Sequence, residues 1–202
     1  MIKNIVFDFG GVLIDWDPRY LYEKVFSNKS EMDFFLKNIC SPQWNLKQDA
    51  GNSLSDATKE LQLQYPGYSK EIEMYYNDWS DMIGGEIIEN VNLVKPLKTR
   101  YRIFGLSNWS AETFPIVRNR YSFFKDFEGI VISGQEKLVK PDMEIFKVLL
   151  NRYQLQANES LFIDDSLNNI NTAKEMRFVT LHLTDDLDLK EQLQKSGLLF
   201  PI

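Results

Sequence analysis

Apolar positions along the chain follow two rhythms. Residues 2–9 form a nearly continuous apolar run, with Ile2, Ile5, Val6 and Phe7, that stops at Gly10 and Gly11; a short run of this kind predicts a buried strand. From about 18 to 83 the rhythm changes. "RYLYEKVF", "SEMDFFLKNI", "SDATKELQLQY" and "KEIEMYYNDWSDMI" carry apolar residues at helical spacing with charges between them. Ser30 and Ser55 stand where N-caps are expected. After residue 88 helix and strand patterns alternate. "NVNLVKPLKTR" predicts a helix and "YRIFGLSN" a strand, "SAETFPIVRNRY" a helix and "GIVIS" a strand. "PDMEIFKVLLNRY" predicts a helix with Pro141 in its first turn. "SLFIDDS" predicts a strand, "LNNINTAKEM" a helix, "FVTLHL" a strand and "DLDLKEQLQKSG" a last helix. Such alternation implies an α/β fold, a doubly wound parallel sheet covered on both faces. The first strand belongs to that sheet, so the helical block is an insertion. The expected division is a core of residues 1–15 and 86–202 and a helical unit of 16–85.

In open α/β sheets the ligand lies beyond the carboxyl ends of the strands. The first strand ends in Asp8, the second in Ser107-Asn108, and "LFI" in Asp164-Asp165; Lys140 precedes a helix start. Three acids, a hydroxyl and a cation thus converge on one rim. Adjacent acids facing Asp8 would repel one another unless a cation lay between them, and hard oxygen donors suit Mg²⁺. The same pair reads equally as a strand-end turn in which Asp165 or Ser166 caps the next helix. Ser107-Asn108 reads also as a cap, with Ser110 as good a candidate, and Lys140 as a solvated lysine that Pro141 keeps out of helical geometry. Gly10 and Gly11 fit a turn, or a close backbone approach to an anion.

Composition narrows the classes. The chain has 202 residues, 44% hydrophobic and 26% charged, with net charge −6. Acidic balance argues against a nucleic-acid surface, while leaving room for a small phosphorylated partner. No apolar run approaches a membrane span, and the N-terminus shows no signal-peptide pattern. With Cys40 alone no internal disulfide forms, which points to the cytoplasm. Zinc sites of His and Cys are close to excluded by one cysteine and one histidine, His182, read as structural. Oligomeric state is not legible.

The four stretches "VFDFGGVL", "GLSN", Lys140 of "VKPD" and "FIDDSLNN" come in an order and spacing that resembles the haloacid dehalogenase (HAD) superfamily of hydrolases, over essentially the whole chain. The resemblance implies a Rossmann-like core, a Mg²⁺-dependent phosphatase and an aspartyl-phosphate on Asp8. It implies that Ser107 and Asn108 hold the phosphoryl group and Lys140 neutralises charge. It assigns the metal to Asp8, the Gly10 carbonyl, Asp165 and, through a water, Asp164, with Asn169 behind them. The insertion resembles the family's small helical cap; the 31 residues 109–139 leave no room for a large second cap.

One position departs from the pattern. Two residues after the nucleophile, family phosphatases carry an aspartate that serves as general acid–base; here it is Gly10. Stable leaving groups tolerate that loss best, so a hexose 1-phosphate becomes the expected substrate, as in the sugar 1-phosphate phosphatases of the family. Asp15 is the expected substitute acid, with Asp15 and Asp17 reading also as hinge and cap residues. In the cap, Trp16, Arg19, Trp44 and Gln48 suit sugar recognition, and read also as packing (Trp16, Trp44) or solvated surface (Arg19, Gln48). Cys40 reads as a buried small residue. Two rival functions stay open: a metal-free 2-haloacid dehalogenase, and a weakened HAD-fold binding or regulatory protein.

Overall fold

The computed structural model describes residues 1–199. Five strands form one parallel sheet: β1 (Asn4–Phe7), β4 (Arg102–Ser107), β5 (Gly129–Ile132), β6 (Ser160–Asp164) and β7 (Val179–His182), in the order β5-β4-β1-β6-β7. The chain builds outward from β1 to β4 and β5, then crosses back to β6 and β7. The reversal leaves a crevice at the carboxyl end of β1, between β4 and β6, where open α/β sheets bind ligands.

The sheet forms because its central strands bury both faces. Ile5 and Phe7 of β1 enter one apolar core, while Val6 enters the other. Leu161 and Ile163 of β6 likewise oppose Phe162, and Ile103 of β4 opposes Phe104 and Leu106. The period of two assigns each residue to a layer. Helices α6 (Ile88–Lys98), α7 (Phe114–Arg120), α9 (Met143–Tyr153), α10 (Leu167–Glu175) and α11 (Leu189–Lys195) cover the faces. Phe9, just past β1, fills the space over Gly105, where a Cβ would strike its ring. It stacks on Phe114 at 6.0 Å and meets Phe124 edge-on at 5.0 Å.

The insertion holds α1 (Arg19–Tyr22), α2 (Lys29–Asn38), α3 (Pro42–Asp49), α4 (Leu54–Gln64) and α5 (Ser69–Asn77). Its base is a feature absent from the sequence reading. β2 (Ile14–Trp16) and β3 (Ile83–Glu86) pair antiparallel, so the expected boundaries at 15 and 86 fall inside a two-stranded ribbon. Two caps also differ. Asn28 Oδ1 accepts from the Ser30 and Glu31 N–H groups, and Ser53 Oγ from Asp56 N–H. Ser30 and Ser55 lie in the first turns instead, because each helix starts about two residues earlier than the polar spacing suggested. Pro141 precedes α9 rather than opening it, since Asp142 is the cap and accepts from Glu144 N–H. No helix among the described residues is long and apolar enough to cross a membrane.

The carboxyl end of α3 is fastened to the core. Ser133 Oγ, at the start of α8 (Ser133–Glu136), donates to the Asp49 carbonyl at 2.5 Å and accepts from Trp109 N–H at 2.8 Å. A Cβ on Gly134 would lie 2.8 Å from the Trp109 carbonyl and closer still to Ala111 N. These are backbone atoms that cannot swing aside. Gly134→Ala is therefore expected to cost about 1–3 kcal/mol, the range for overpacking a filled site. Urea unfolding measures it, and an unchanged midpoint would show that this junction yields freely.

Candidate functional site

Asp8 leaves β1 as a carboxylate only 8% exposed. Its Oδ1 accepts from Phe9 N–H at 2.7 Å and from the Ser107 hydroxyl at 2.6 Å; its Oδ2 faces Lys140 Nζ at 2.9 Å. Lys140 is 1% exposed and also contacts Asp164 Oδ2 at 2.6 Å. Asp164 is wholly buried. Asn169 Nδ2 donates to both its oxygens, at 3.0 and 3.1 Å, and Ser166 N–H donates to Oδ1 at 2.8 Å. Asp164, rather than Asp165 or the Ser166 side chain, thus ties down the first turn of α10.

Asn108 holds Lys140 from behind. Its Oδ1 accepts from Lys140 N–H at 2.8 Å and its Nδ2 donates to the Lys140 carbonyl at 2.9 Å. Neither Ser107 nor Asn108 caps a helix: α7 begins at Phe114. Ser110 Oγ accepts from Glu112 N–H instead.

One oxygen each from Asp8, Asp164 and Asp165 lies within 4.8 Å of the others. Burial pushes the Asp8 carboxyl up to about 7, with Lys140 opposing and Asp164 and Asp165 adding to the rise. Burial, then Asp164, likewise raises Asp165. Burial alone would lower Lys140, but Asp164 and Asp8 outweigh it and hold the ammonium above the ordinary lysine value. Gly11, at φ 70°, keeps the backbone clear of Asp165, whose carboxylate a Cβ there would strike. At Gly10 a Cβ meets nothing within 4 Å.

A cleft of about 1090 Å³ opens above these groups, lined from the core by Asn108, Lys140, Asp165 and Asn169. Trp16 and Arg19 line it from the insertion, Arg19 paired with Asp33 at 3.3 Å and Asp17 at 3.9 Å. A smaller recess of about 70 Å³ joins Gly10, Asn108 and Trp109 to Trp16, Asn45 and Asp49.

Three expectations meet a different placement. Asp15 turns away from the cleft. Its Oδ2 accepts from the Tyr20 hydroxyl at 2.8 Å, and its carboxylate packs where a Cβ on Gly84 would go. Strand alternation in β2 sends neighbouring side chains to opposite faces, and Trp16 takes the cleft side. Trp44 and Gln48 line a separate depression with Lys47 and Asp56. Trp44 packs edge-on to Tyr75 at 5.2 Å, and Gln48 is 1% exposed and donates to the Trp44 carbonyl. His182 lies beside the site, its Nε2 2.9 Å from the Asp165 carbonyl, so its contact is with backbone. Asp49 and Ser133 were not anticipated. Nothing in "KQDAGNS" marks Asp49 beyond its place at a helix end.

The geometry has known counterparts. A sesquiterpene phosphatase of Aspergillus oryzae is 27% identical, over 92% of this chain and 91% of that protein. A D-ribitol-5-phosphate phosphatase of Bacteroides thetaiotaomicron is 24% identical, over 96% and 97%. Among solved structures, a HAD family enzyme of Bacteroides thetaiotaomicron in complex with magnesium and inorganic phosphate superposes with a TM-score of 0.74 at 25% identity, over 95% of this chain and 99% of that one. Residues 2–177 match the haloacid dehalogenase-like hydrolases, and with the sheet order and the strand-end carboxylates already described, the chain belongs to that family.

Proposed function

We propose that this hydrolase is a Mg²⁺-dependent phosphatase of small phosphorylated metabolites that works through an aspartyl-phosphate on Asp8. The carrying observation is the buried chain Ser107–Asp8–Lys140–Asp164, which fixes both oxygens of one carboxylate beside the Lys140 that lines the cleft. The phosphatase relatives and the phosphate complex of the solved relative support the same reading.

The donors fit Mg²⁺. All are hard oxygens, and three carboxylates face a single ammonium, leaving excess negative charge for a divalent cation. Asp165, Asp8 and the Gly10 carbonyl would hold the ion. Asp164, already engaged by Lys140, Asn169 and Ser166, would reach it through a water. When bound, Mg²⁺ supplies positive charge against the transferring phosphoryl group. This excess charge also speaks against a metal-free dehalogenase.

The protein supplies the remaining chemistry. Asp8 attacks phosphorus, and the Ser107 hydroxyl, which now donates to Asp8, turns to a phosphoryl oxygen. Lys140 stays paired and screens the phosphoryl charge from Asp164. The helical insertion, residues 16–85, acts as the cap, with Trp16 and Arg19 at the leaving group. A hexose 1-phosphate is a substrate of this class, its anomeric leaving oxygen being stabilised.

Phosphate release from a panel holding glucose 1-phosphate, D-ribitol 5-phosphate and para-nitrophenyl phosphate tests this. Activity is expected with Mg²⁺ and a loss of about 10³-fold in EDTA, the several kcal/mol that a bound cation supplies. Release that survives EDTA would overturn the metal assignment; no release from any ester would overturn the phosphatase.

A further inference from the structure

We propose that Asp49, delivered by the cap, is the general acid–base of this reaction and fills the role for which position 10 has no side chain. The proposal rests on the phosphatase reading and names the group that reading lacks.

The argument begins with position. Asp49 lines the recess that contains Gly10 and also the large cleft that contains Lys140 and Asp165. Trp16, Asn45 and Asn108 are the other residues common to both, and none of them can exchange a proton near neutral pH. The space beside Gly10 is open, with no atom within 4 Å of a Cβ there. The proton donor can therefore come from across the recess.

Asp49 is also held firmly, as a proton-transfer group must be. Its carbonyl accepts from Ser133 Oγ, which is itself bound by Trp109 N–H, two residues past Ser107. Its Oδ2 accepts from Asn45 Nδ2 at 2.9 Å, and Asn45 Oδ1 accepts from the Tyr76 hydroxyl at 3.0 Å. Gly51, at φ 97°, lets the chain leave α3 tightly, its Cα hydrogen facing the Gly134 carbonyl. Leu54 N–H then donates to Glu112 Oε1 on the core at 3.0 Å. The cap is thus anchored to the core at the point where it carries this acid.

The environment keeps a proton on this acid up to about neutral pH, so that both forms are available there. Burial pushes the Asp49 carboxyl up to about 7, opposed by the Ser110 N–H group. The charged and titratable groups on the surrounding elements are Lys47 on α3, Tyr75 and Tyr76 on α5, Glu112 after β4, Glu136 and Lys137 at α8, and Asp17, Arg19, Asp33, Lys37, Cys40, Lys140 and Asp165 around the cleft. No cation among the described residues forms an ion pair with Asp49. Burial holds both tyrosines above their ordinary value, so they stay neutral.

The steps balance. An Asp8 oxygen bonds to phosphorus while the bond from phosphorus to the leaving oxygen breaks; that oxygen keeps the electron pair and takes the proton from Asp49. The Asp49 carboxylate then takes a proton from water as the water oxygen bonds to phosphorus. The phosphorus–Asp8 bond breaks, its electron pair returns to Asp8, and inorganic phosphate leaves. With such an acid the enzyme is not confined to stabilised leaving groups, and unactivated alkyl phosphates become substrates.

Asp49→Asn in the full-length chain separates the possibilities, with D-ribitol 5-phosphate as alkyl ester and para-nitrophenyl phosphate as the ester whose leaving group needs no proton. The expected loss in kcat/KM is ~10²–10⁴-fold for the alkyl ester and less than about tenfold for the aryl ester. Adding Gly10→Asp to the variant is expected to restore alkyl turnover. A second readout needs no variant: the wild-type ratio of alkyl to aryl kcat/KM should fall as pH rises above about 7, where Asp49 gives up its proton. Equal losses on both esters, no loss on either, a flat wild-type ratio, or no alkyl turnover by the wild type would each overturn the role of Asp49. If Asp8-dependent hydrolysis of para-nitrophenyl phosphate persists in those cases, the phosphatase itself stands.

Discussion

Asp8→Asn is expected to remove phosphatase activity by about 10⁴-fold or more, within the range that loss of a covalent nucleophile produces. An amide cannot form the acyl phosphate, so the reaction loses its covalent route and keeps only the binding contribution of the remaining groups. The substitution keeps the contacts to Oδ1 and turns the amide nitrogen toward the Lys140 ammonium, which loses one of its two acceptors. Phe9 N–H and the Ser107 hydroxyl can still donate to the amide oxygen, and Lys140 keeps Asp164 as its partner at 2.6 Å. The variant should therefore fold, as circular dichroism would show. It should also still bind inorganic phosphate in the presence of Mg²⁺. Acid quenching of the wild type during turnover should trap one phosphoryl group that hydroxylamine removes, and the variant should trap none. Wild-type rates in the variant would mean that the nucleophile lies elsewhere and that the preparation's activity does not come from Asp8.

Much of this was legible before the structure, and what was missed shares a physical cause. The central strands announce themselves because they are buried on both faces and so read as apolar runs, and each run ends in or beside a residue that the crevice brings together: Asp8, Ser107, Asp164. Lys140 could be singled out because a proline follows it, although its 1% exposure and its two carboxylate partners could not. The ribbon of β2 and β3 was illegible because its strands have three and four residues, half-buried, that find each other only across the whole insertion.

Asp15 and Asp49 show the same limit at the level of the site. Asp15 attracted attention by its nearness to Asp8 in sequence, yet a strand turns alternate side chains away, and Tyr20 holds it outside. Asp49 is far from every motif. It gains its setting only when α3 docks on Ser133 and Trp109, and that docking depends on the shape of two surfaces rather than on any local pattern. Trp44 and Gln48 have the residue types of a sugar site, but α3 turns them into a different depression from the one that Asp49 enters.

Lys140→Met should lower stability by about 3–5 kcal/mol in metal-free buffer at neutral pH, the cost of leaving buried charge without its partner. Methionine nearly matches the stem in volume, so the loss reports charge rather than a cavity. Lys140 is the cation that contacts both Asp8 and Asp164, and Asn108 fixes its backbone so that no neighbouring residue can take its place. The pH dependence has a definite sign. Asp8 is already pushed up to about 7 by burial against the opposing charge of Lys140. Without that charge its folded-state value rises further, while its unfolded value stays near the ordinary 3.8. A carboxyl raised by folding contributes stability that is fully present below its unfolded value and is lost as pH rises through its folded value. The deficit of the variant should therefore grow as pH rises from about 7 toward 9 and level off on acidification below 7, where Asp8 is protonated in both folded proteins. Urea unfolding of both proteins across that range measures it. A deficit that is independent of pH would mean that Lys140 supports the fold by packing against Phe162, whose ring lies 5.5 Å from its ammonium, and not by balancing the carboxylates.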